Sequence, residues 1–113
     1  MVGSTTQPEF QGASLATVTI TADADILAAP AAGTFIRLYG FFGFVNVAAV
    51  QTVSIKDGTT VLATIGTAAL GPIGFTPCPH DLAAATALTA DLSAGTVTLI
   101  LTVLYKVFDF DFA

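Results

Sequence analysis

Apolar and polar residues alternate with a period of two along much of this chain, the spacing of β-strands rather than helices. In residues 15–22, Ala16, Val18 and Ile20 alternate with threonines. This pattern is typical of a strand with one buried and one wetter face. The last long apolar segment, residues 96–107, alternates in the same way and is also predicted to be a strand.

The segment between the first strand and the centre of the chain is less regular. Residues 23–33 contain small residues and a proline, which indicates a short strand and a turn. Residues 35–50 are apolar at both odd and even positions, so this strand should be covered on both faces. Within it, Gly40 and Gly43 indicate a bulge or a close approach of another backbone.

A β-hairpin is predicted where two alternating segments, residues 52–56 and 60–65, flank Asp57-Gly58. A two-residue Asp57-Gly58 turn would place Val53 opposite Leu62. A three-residue loop with a left-handed Gly58 would place Val53 opposite Val61. The second register aligns the apolar residues better and is preferred here.

The remaining segments complete an all-β pattern. Residues 66–81 contain three prolines and three glycines, so they can form only an edge strand and loop. Residues 82–90 are rich in alanine and predict a loop or helical turn, with a strand from about residue 88 to 93. The sum is about seven or eight strands, which predicts a single antiparallel β-sandwich of jelly-roll type.

Two terminal segments fall outside this domain of residues 13–107. Residues 1–12 are polar and are expected to form a flexible arm. Residues 108–113 carry phenylalanines at even positions, whereas the preceding strand has its apolar set at odd positions. Because such a flip requires a bulge or a strand that leaves its sheet, we expect a tail that docks away from the core.

The other side of the last strand is not a normal solvated face either, because Ile100 and Leu104 lie among threonines. The candidate residues for contact with other subunits or with a larger scaffold are therefore Phe108, Phe110, Phe112, Ile100 and Leu104.

Composition strengthens the expectation of such contacts. Hydrophobic residues make up 54% of the chain and charged residues 10%, against roughly 25% charged in average domains. A domain of this size cannot hide so much apolar surface, so its subunits are expected to lie against one another or against a larger scaffold.

Charge and hydropathy exclude several other partners. The net charge is -5 with three basic residues, which argues against nucleic-acid binding. No stretch reads as a membrane-spanning helix, and the first twelve residues do not resemble a signal peptide. The single cysteine fits a chain made in reducing cytosol.

Candidate chemistry is sparse. Cys78 and His80 suggest a metal pair or an activated thiol, but no second cysteine or histidine exists and the prolines hold both in one extended stretch. The pairs Asp23/Asp25 and Asp109/Asp111 suggest calcium, which needs more oxygen ligands than two carboxylates offer. The chain is expected not to be an enzyme and to need no metal or cofactor.

Several segments carry a resemblance to a known group: Ala32-Gly33-Thr34-Phe35-Ile36-Arg37-Leu38-Tyr39-Gly40, Val53-Ser54-Ile55-Lys56-Asp57-Gly58-Thr59-Thr60-Val61-Leu62, Ala87-Leu88-Thr89-Ala90-Asp91-Leu92-Ser93-Ala94-Gly95 and Val103-Leu104-Tyr105. Over residues 28–107 the chain resembles small β-sandwich virion proteins of tailed bacteriophages, which include capsid decoration (cement) proteins and head or tail spike modules. It departs from them at Thr34, where a basic residue often stands, and in its Phe/Asp tail.

The resemblance implies a homotrimer that binds the major capsid protein, decorates the phage head and stabilises it, after assembly in the host cytoplasm. It implies no catalytic residue. The alternative is a receptor- or glycan-binding module of a fibre or spike, which would need exposed aromatic and polar residues in its loops.

Overall fold

The computed structural model describes residues 12–49, 51–93 and 97–109, and within these residues the chain forms strands, turns and loops without a helix. The strands are β1 (Ser14–Ile20), β2 (Ala24–Leu27), β3 (Thr34–Val47), β4 (Thr52–Asp57), β5 (Thr60–Gly66), β6 (Gly71–Asp81), β7 (Leu88–Leu92) and β8 (Thr98–Asp109). The all-β prediction is confirmed, and no helix in this part of the chain could span a bilayer.

The eight strands form two antiparallel four-stranded sheets. Sheet A has the order β1-β8-β3-β6, and sheet B has the order β2-β7-β4-β5. One hydrophobic core joins residues of both sheets, as the predicted sandwich requires. Its fully or largely buried members from sheet A are Ile20, Ile36, Leu38, Phe41, Val45, Leu99, Leu101 and Val103, and those from sheet B are Ile26, Leu27, Val53, Ile55, Ile65, Leu88 and Ala90.

Alternation decides which face each strand of sheet A turns to the core. On β8, Leu99, Leu101 and Val103 are completely buried in the core. On β1, which pairs with β8 along its whole length, Val18 and Ile20 pack on the same core. The predicted inward sets of both strands are therefore confirmed, and the other parity of each strand faces away from sheet B.

Strand β3 changes its core-facing parity at a bulge. Leu38 pairs with Tyr105 of β8 but Gly40 pairs with Leu104, which leaves Tyr39 as an extra residue. Consequently the core positions switch from even numbers before the bulge to odd numbers after it. The sequence pattern predicts a parity change after Val107; the structure shows one within β3, at the bulge beside Gly40.

Both glycines of β3 allow a close approach, as predicted. A Cβ on Gly40 would lie 2.5 Å from Cζ of Phe75 and 2.6 Å from the carbonyl oxygen of Thr76. A Cβ on Gly43 would collide with the carbonyl oxygen of Ile100. Neither position has room for a side chain unless the neighbouring strand moves.

The β4–β5 hairpin exists, but both registers considered from the sequence are wrong. Asp57 pairs with Thr60, so the loop is Gly58-Thr59, with Gly58 at a φ of 59°. A register shift between Ile55 and Lys56 then brings Val53 opposite Ile65. Burial explains the result, because this pairing places Ile65, which is 6% exposed, beside the fully buried Val53.

The proline-rich segment forms β6 at one edge of sheet A, confirming the prediction of an edge strand. Its prolines have no backbone N–H to offer, so this edge is a poor template for pairing with another strand. The alanine-rich segment before β7 contains a turn at residues 84–85, where Ala85 has a φ of 50°. This agrees with the predicted loop followed by a strand.

Candidate interaction surface

The side of sheet A that faces away from sheet B carries an apolar surface, which we call the outer patch. It comprises Leu15, Thr17 and Thr19 of β1, Ile100, Thr102 and Leu104 of β8, Phe42 and Phe44 of β3, and Phe75 of β6. None of these residues carries a charge.

The outer patch is arranged as three rungs across the strands. Leu15 pairs with Leu104, which pairs with Gly40, and the ring of Phe75 occupies the space beside Gly40. The rung of Thr17, Thr102 and Phe42 follows. The third rung comprises Thr19, Ile100 and Phe44, with Pro72 of β6 next to Phe44.

Large apolar side chains of the outer patch are open to solvent. Leu15 is 62% exposed, Phe75 47%, Phe44 44% and Phe42 39%. The described chain exposes eight large hydrophobic side chains, and these four lie together on one sheet face. Scattered apolar residues are ordinary on protein surfaces, whereas a contiguous group marks a contact site.

The polar atoms at the centre of the patch bond to each other. The hydroxyl oxygens of Thr17 and Thr102 lie 2.8 Å apart and share one hydrogen bond between β1 and β8. A hydroxyl that already has a protein partner loses less when water is removed. The centre of the outer patch can therefore be dehydrated at low cost.

The outer side of sheet B has the opposite character. Lys56 donates to Oδ2 of Asp91 at 2.8 Å, and Ser54 and Thr89 lie beside this pair on the ladder. The exposed Asp25 pairs with Thr89 on β7. Charged and hydroxyl side chains on one face of an antiparallel sheet are typical of a solvated face. The outer patch itself contains no charged residue, although Arg37, Asp81 and Lys106 lie further along the same side of sheet A, and it is therefore the candidate contact face.

The structure brings some of the predicted contact residues together. Leu104 and Ile100 lie on the first and third rungs of the outer patch and are half-buried. Phe108 lies on β8 opposite Phe35 of β3, and their rings stack at a centroid distance of 5.8 Å. Phe110 and Phe112 lie outside the described residues.

Phe108 is packed within its own subunit. The guanidinium carbon of Arg37 lies 4.5 Å from the centroid of the Phe108 ring, and Nζ of Lys106 lies 5.1 Å from it. Strand β8 continues to Asp109, so the residue after Val107 still belongs to the sheet. Any contact role of Phe108 therefore involves a ring already held by Phe35 and Arg37.

A bidentate ion pair ties β3 to the edge strand β6. Nε of Arg37 donates to Oδ1 of Asp81 at 2.6 Å, and Nη2 donates to Oδ2 at 3.0 Å. The hydrogen bond from this guanidinium lowers the pKa of Asp81, and partial burial opposes the shift. The charges of Arg37 and His80 lower the pKa further. An open cleft of about 450 Å³ lies beside the pair, lined also by Tyr39 and Pro79.

Cys78 and His80 do not form a joint site. Sγ of Cys78 lies 3.8 Å from the carbonyl oxygen of Leu62, and burial raises the pKa of this thiol. Nε2 of His80 lies 2.9 Å from Oδ2 of Asp57, which also accepts the backbone N–H of Ala83. His80 therefore links sheet A to the β4–β5 hairpin, and the thiol is engaged elsewhere. Among residues 12–49, 51–93 and 97–109, no three His, Cys, Asp or Glu side chains converge as metal ligands would.

Sequence reasoning missed most of the aromatic part of the outer patch. The sequence shows apolar residues on both parities of β3, but the bulge that turns Phe42 and Phe44 outward has no local signal beyond its glycines. Phe75 lies in the proline-rich segment, far along the chain from its neighbour Gly40. Only the threonine context of Ile100 and Leu104 marked this face in advance.

A scan against protein-family models gives no match, and neither does a search of curated proteins.

Proposed function

We propose that this chain is a structural protein of a bacteriophage virion, a capsid decoration protein that binds and stabilises the head shell as an oligomer. The observation that carries the proposal is the outer patch, an uncharged apolar surface whose four large side chains are 39–62% exposed. A surface of this kind is expected to be covered by another protein.

The chemistry of the described chain is consistent with a binding role. Its cysteine and histidine point to different partners, and its ion pairs join strands to each other. The order of strands supports the finer jelly-roll assignment, since a jelly roll places eight strands in two facing sheets. The sequence resemblance to small phage β-sandwich proteins supplies the virion context, the trimer and the major capsid protein as partner.

Stabilisation of the head would follow from mass action. A protein that binds the assembled shell but not its free subunits shifts the equilibrium towards the shell. The small, rigid sandwich supplies a fixed shape, and burial of the outer patch in the bound oligomer supplies binding energy without catalysis.

The experiment is to add the purified protein to phage heads that lack it and to sediment the heads. Saturable binding, with a rise in the temperature at which the heads disrupt, supports the proposal. Heads that stay bare, or that bind the protein without any gain in stability, contradict it. Binding to host-cell glycans on an array, with bare heads, would favour the fibre or spike module instead.

A matched pair of variants locates the contact. Phe44→Ser removes an exposed ring of the outer patch, and Val61→Ser changes a side chain that is 52% exposed on β5 of sheet B. The proposal expects weaker assembly on heads from the first variant and unchanged occupancy from the second.

A further inference from the structure

The outer patch has two halves of different height. Bulky rings stand on the β3–β6 side, where Phe42, Phe44 and Phe75 lie. On the β1–β8 side the second rung holds only Thr17 and Thr102, and the third rung holds Thr19 beside the half-buried Ile100. A raised half beside a lower half makes a surface that can fit another copy of itself, provided the symmetry places one half over the other.

Electrostatics favours a second copy on this face. The chain carries a net charge of -5, so two copies repel each other wherever their carboxylates meet. The exposed Asp25 and the Lys56-paired Asp91 lie on sheet B, whereas Asp81, on the outer side of sheet A, is paired with Arg37. Copies that meet through the outer patch therefore keep the carboxylates of sheet B at the far side of each sandwich.

The size of the sheet also suits a protein partner. The strands of sheet A have 7, 12, 14 and 11 residues, and at about 3.3 Å per residue and about 4.8 Å between strands they form a face of roughly 700 Å². A standard protein interface buries about 800 Å² per partner. Sheet A thus offers about the area that a stable contact between copies needs, with the outer patch as its apolar centre.

We propose that a second copy of this chain covers the outer patch, with the aromatic half of one copy on the threonine half of the other. A symmetry axis that is parallel to the strands and runs over β8 places β3 of one copy over β1 of its neighbour and keeps the rungs level, so that Phe44 of one copy faces Thr19 of its neighbour. In a dimer with a two-fold axis, the two copies form this contact twice. In a trimer with a three-fold axis, each neighbouring pair of copies forms it once. The shared Thr17–Thr102 hydrogen bond lies at the centre of the buried surface.

This inference rests on the oligomer proposed above but not on the capsid, so it is tested on the purified protein alone. The variant Thr19→Cys/Phe44→Cys is made in a Cys78→Ser background and oxidised. Within one chain the two positions are two strands apart, about 10 Å, beyond the reach of a disulfide. Covalent products can therefore form only between copies.

The expected result is loss of most of the monomer band on a non-reducing gel, with a covalent dimer for a two-fold axis or a covalent trimer for a three-fold axis. Each single-cysteine variant should stay monomeric on the gel. The matched control Val61→Cys/Thr89→Cys, on the outer side of sheet B, should also give no product.

Three results would overturn the inference. The first is a double variant that stays monomeric although its circular dichroism matches that of the parent. The second is the formation of covalent dimers by the Phe44→Cys variant alone. The third is cross-linking of the sheet B control to the same extent as the double variant. Binding to heads is measured separately, so a failure here leaves the capsid proposal standing with a different subunit contact.

Discussion

Thr17 and Thr102 are joined by a hydrogen bond between their side-chain hydroxyls, 2.8 Å apart, at the centre of the uncharged outer patch of sheet A. The two residues are direct partners on neighbouring antiparallel strands. Their bond removes the main polar obstacle to burying this face, because each hydroxyl keeps a partner when water leaves.

Replacing one of these threonines should harm association more than replacing both. Thr102→Val leaves the Thr17 hydroxyl without its protein partner in a buried contact, which costs about 1–3 kcal/mol, whereas the double valine variant leaves no polar group unpaired. We expect the single variant to weaken self-association about tenfold, the equivalent of roughly 1.4 kcal/mol, and the double variant to restore it. Sedimentation velocity over a concentration series measures this, and equal dissociation constants for the two variants would contradict it.

Gly40→Ala should destabilise the fold. The added Cβ would lie 2.5 Å from the Phe75 ring and 2.6 Å from the Thr76 carbonyl oxygen, so β6 has to move. Overpacking of this kind typically costs about 1–3 kcal/mol. Urea unfolding followed by circular dichroism gives the change, with Gly74→Ala as the control, since a Cβ there meets nothing within 4 Å. A Gly40→Ala variant as stable as the control would refute the close approach.

Local patterns predicted much of the fold because alternation reports directly on burial. The inward sets of β1 and β8 follow from it, and the prolines of β6 restrict that strand to an edge. The β4–β5 register could not be obtained in this way, because it depends on a shift between Ile55 and Lys56 that no local residue signals. The bulge at Tyr39 is similar, since its two glycines indicate irregularity but not which face each neighbour takes.

Because of the Arg37–Asp81 pair, part of the free energy of unfolding should depend on pH in the acid range. Its hydrogen bond lowers the pKa of Asp81 below the unfolded value of about 3.9. The stabilisation is therefore fully present above the unfolded pKa and is lost as pH falls through the lower folded pKa. With the Arg37 and Asp81 side chains 33% and 49% exposed, the effect at neutral pH should not exceed about 1 kcal/mol.

Asp81→Asn should accordingly lower the free energy of unfolding at neutral pH and converge with the parent in strong acid. Urea titrations at several pH values test this, with the exposed Asp25→Asn as the comparison. A deficit of Asp81→Asn that stays constant down to the acid limit would show that the carboxylate charge does not matter.

Ending the chain after Asp109 separates the tail from the sheet. This truncation keeps the Phe35–Phe108 stack and removes Phe110 and Phe112, two of the predicted contact residues. We expect weaker association between subunits or with heads, from a chain that still folds. Sedimentation and head occupancy that match the full chain would remove the tail from the contact surface.

Phe108→Ala is the complementary change. It leaves the tail in place but opens the stack with Phe35 and the contact with Arg37, so it should lower stability by about 1–2 kcal/mol. Thermal unfolding at fixed protein concentration measures the loss, and an unchanged midpoint would mean that the stack contributes little.

The candidate surface was only partly predictable from the sequence for a physical reason. Ile100 and Leu104 stand out because their own strand shows which residues share their face. Phe42 and Phe75 join them only through pairing between strands and through the space beside Gly40. Such neighbours are defined by the three-dimensional sheet, and a period-two pattern carries no information about them.

The most direct test of the central claim is the molar mass of the purified protein by sedimentation equilibrium at micromolar concentration and above. A contact through the outer patch predicts a multiple of the 11.5 kDa chain, a collapse towards the chain mass for Phe44→Lys, and no change for Val61→Lys on sheet B. A parent protein that stays at 11.5 kDa throughout the series would contradict the account.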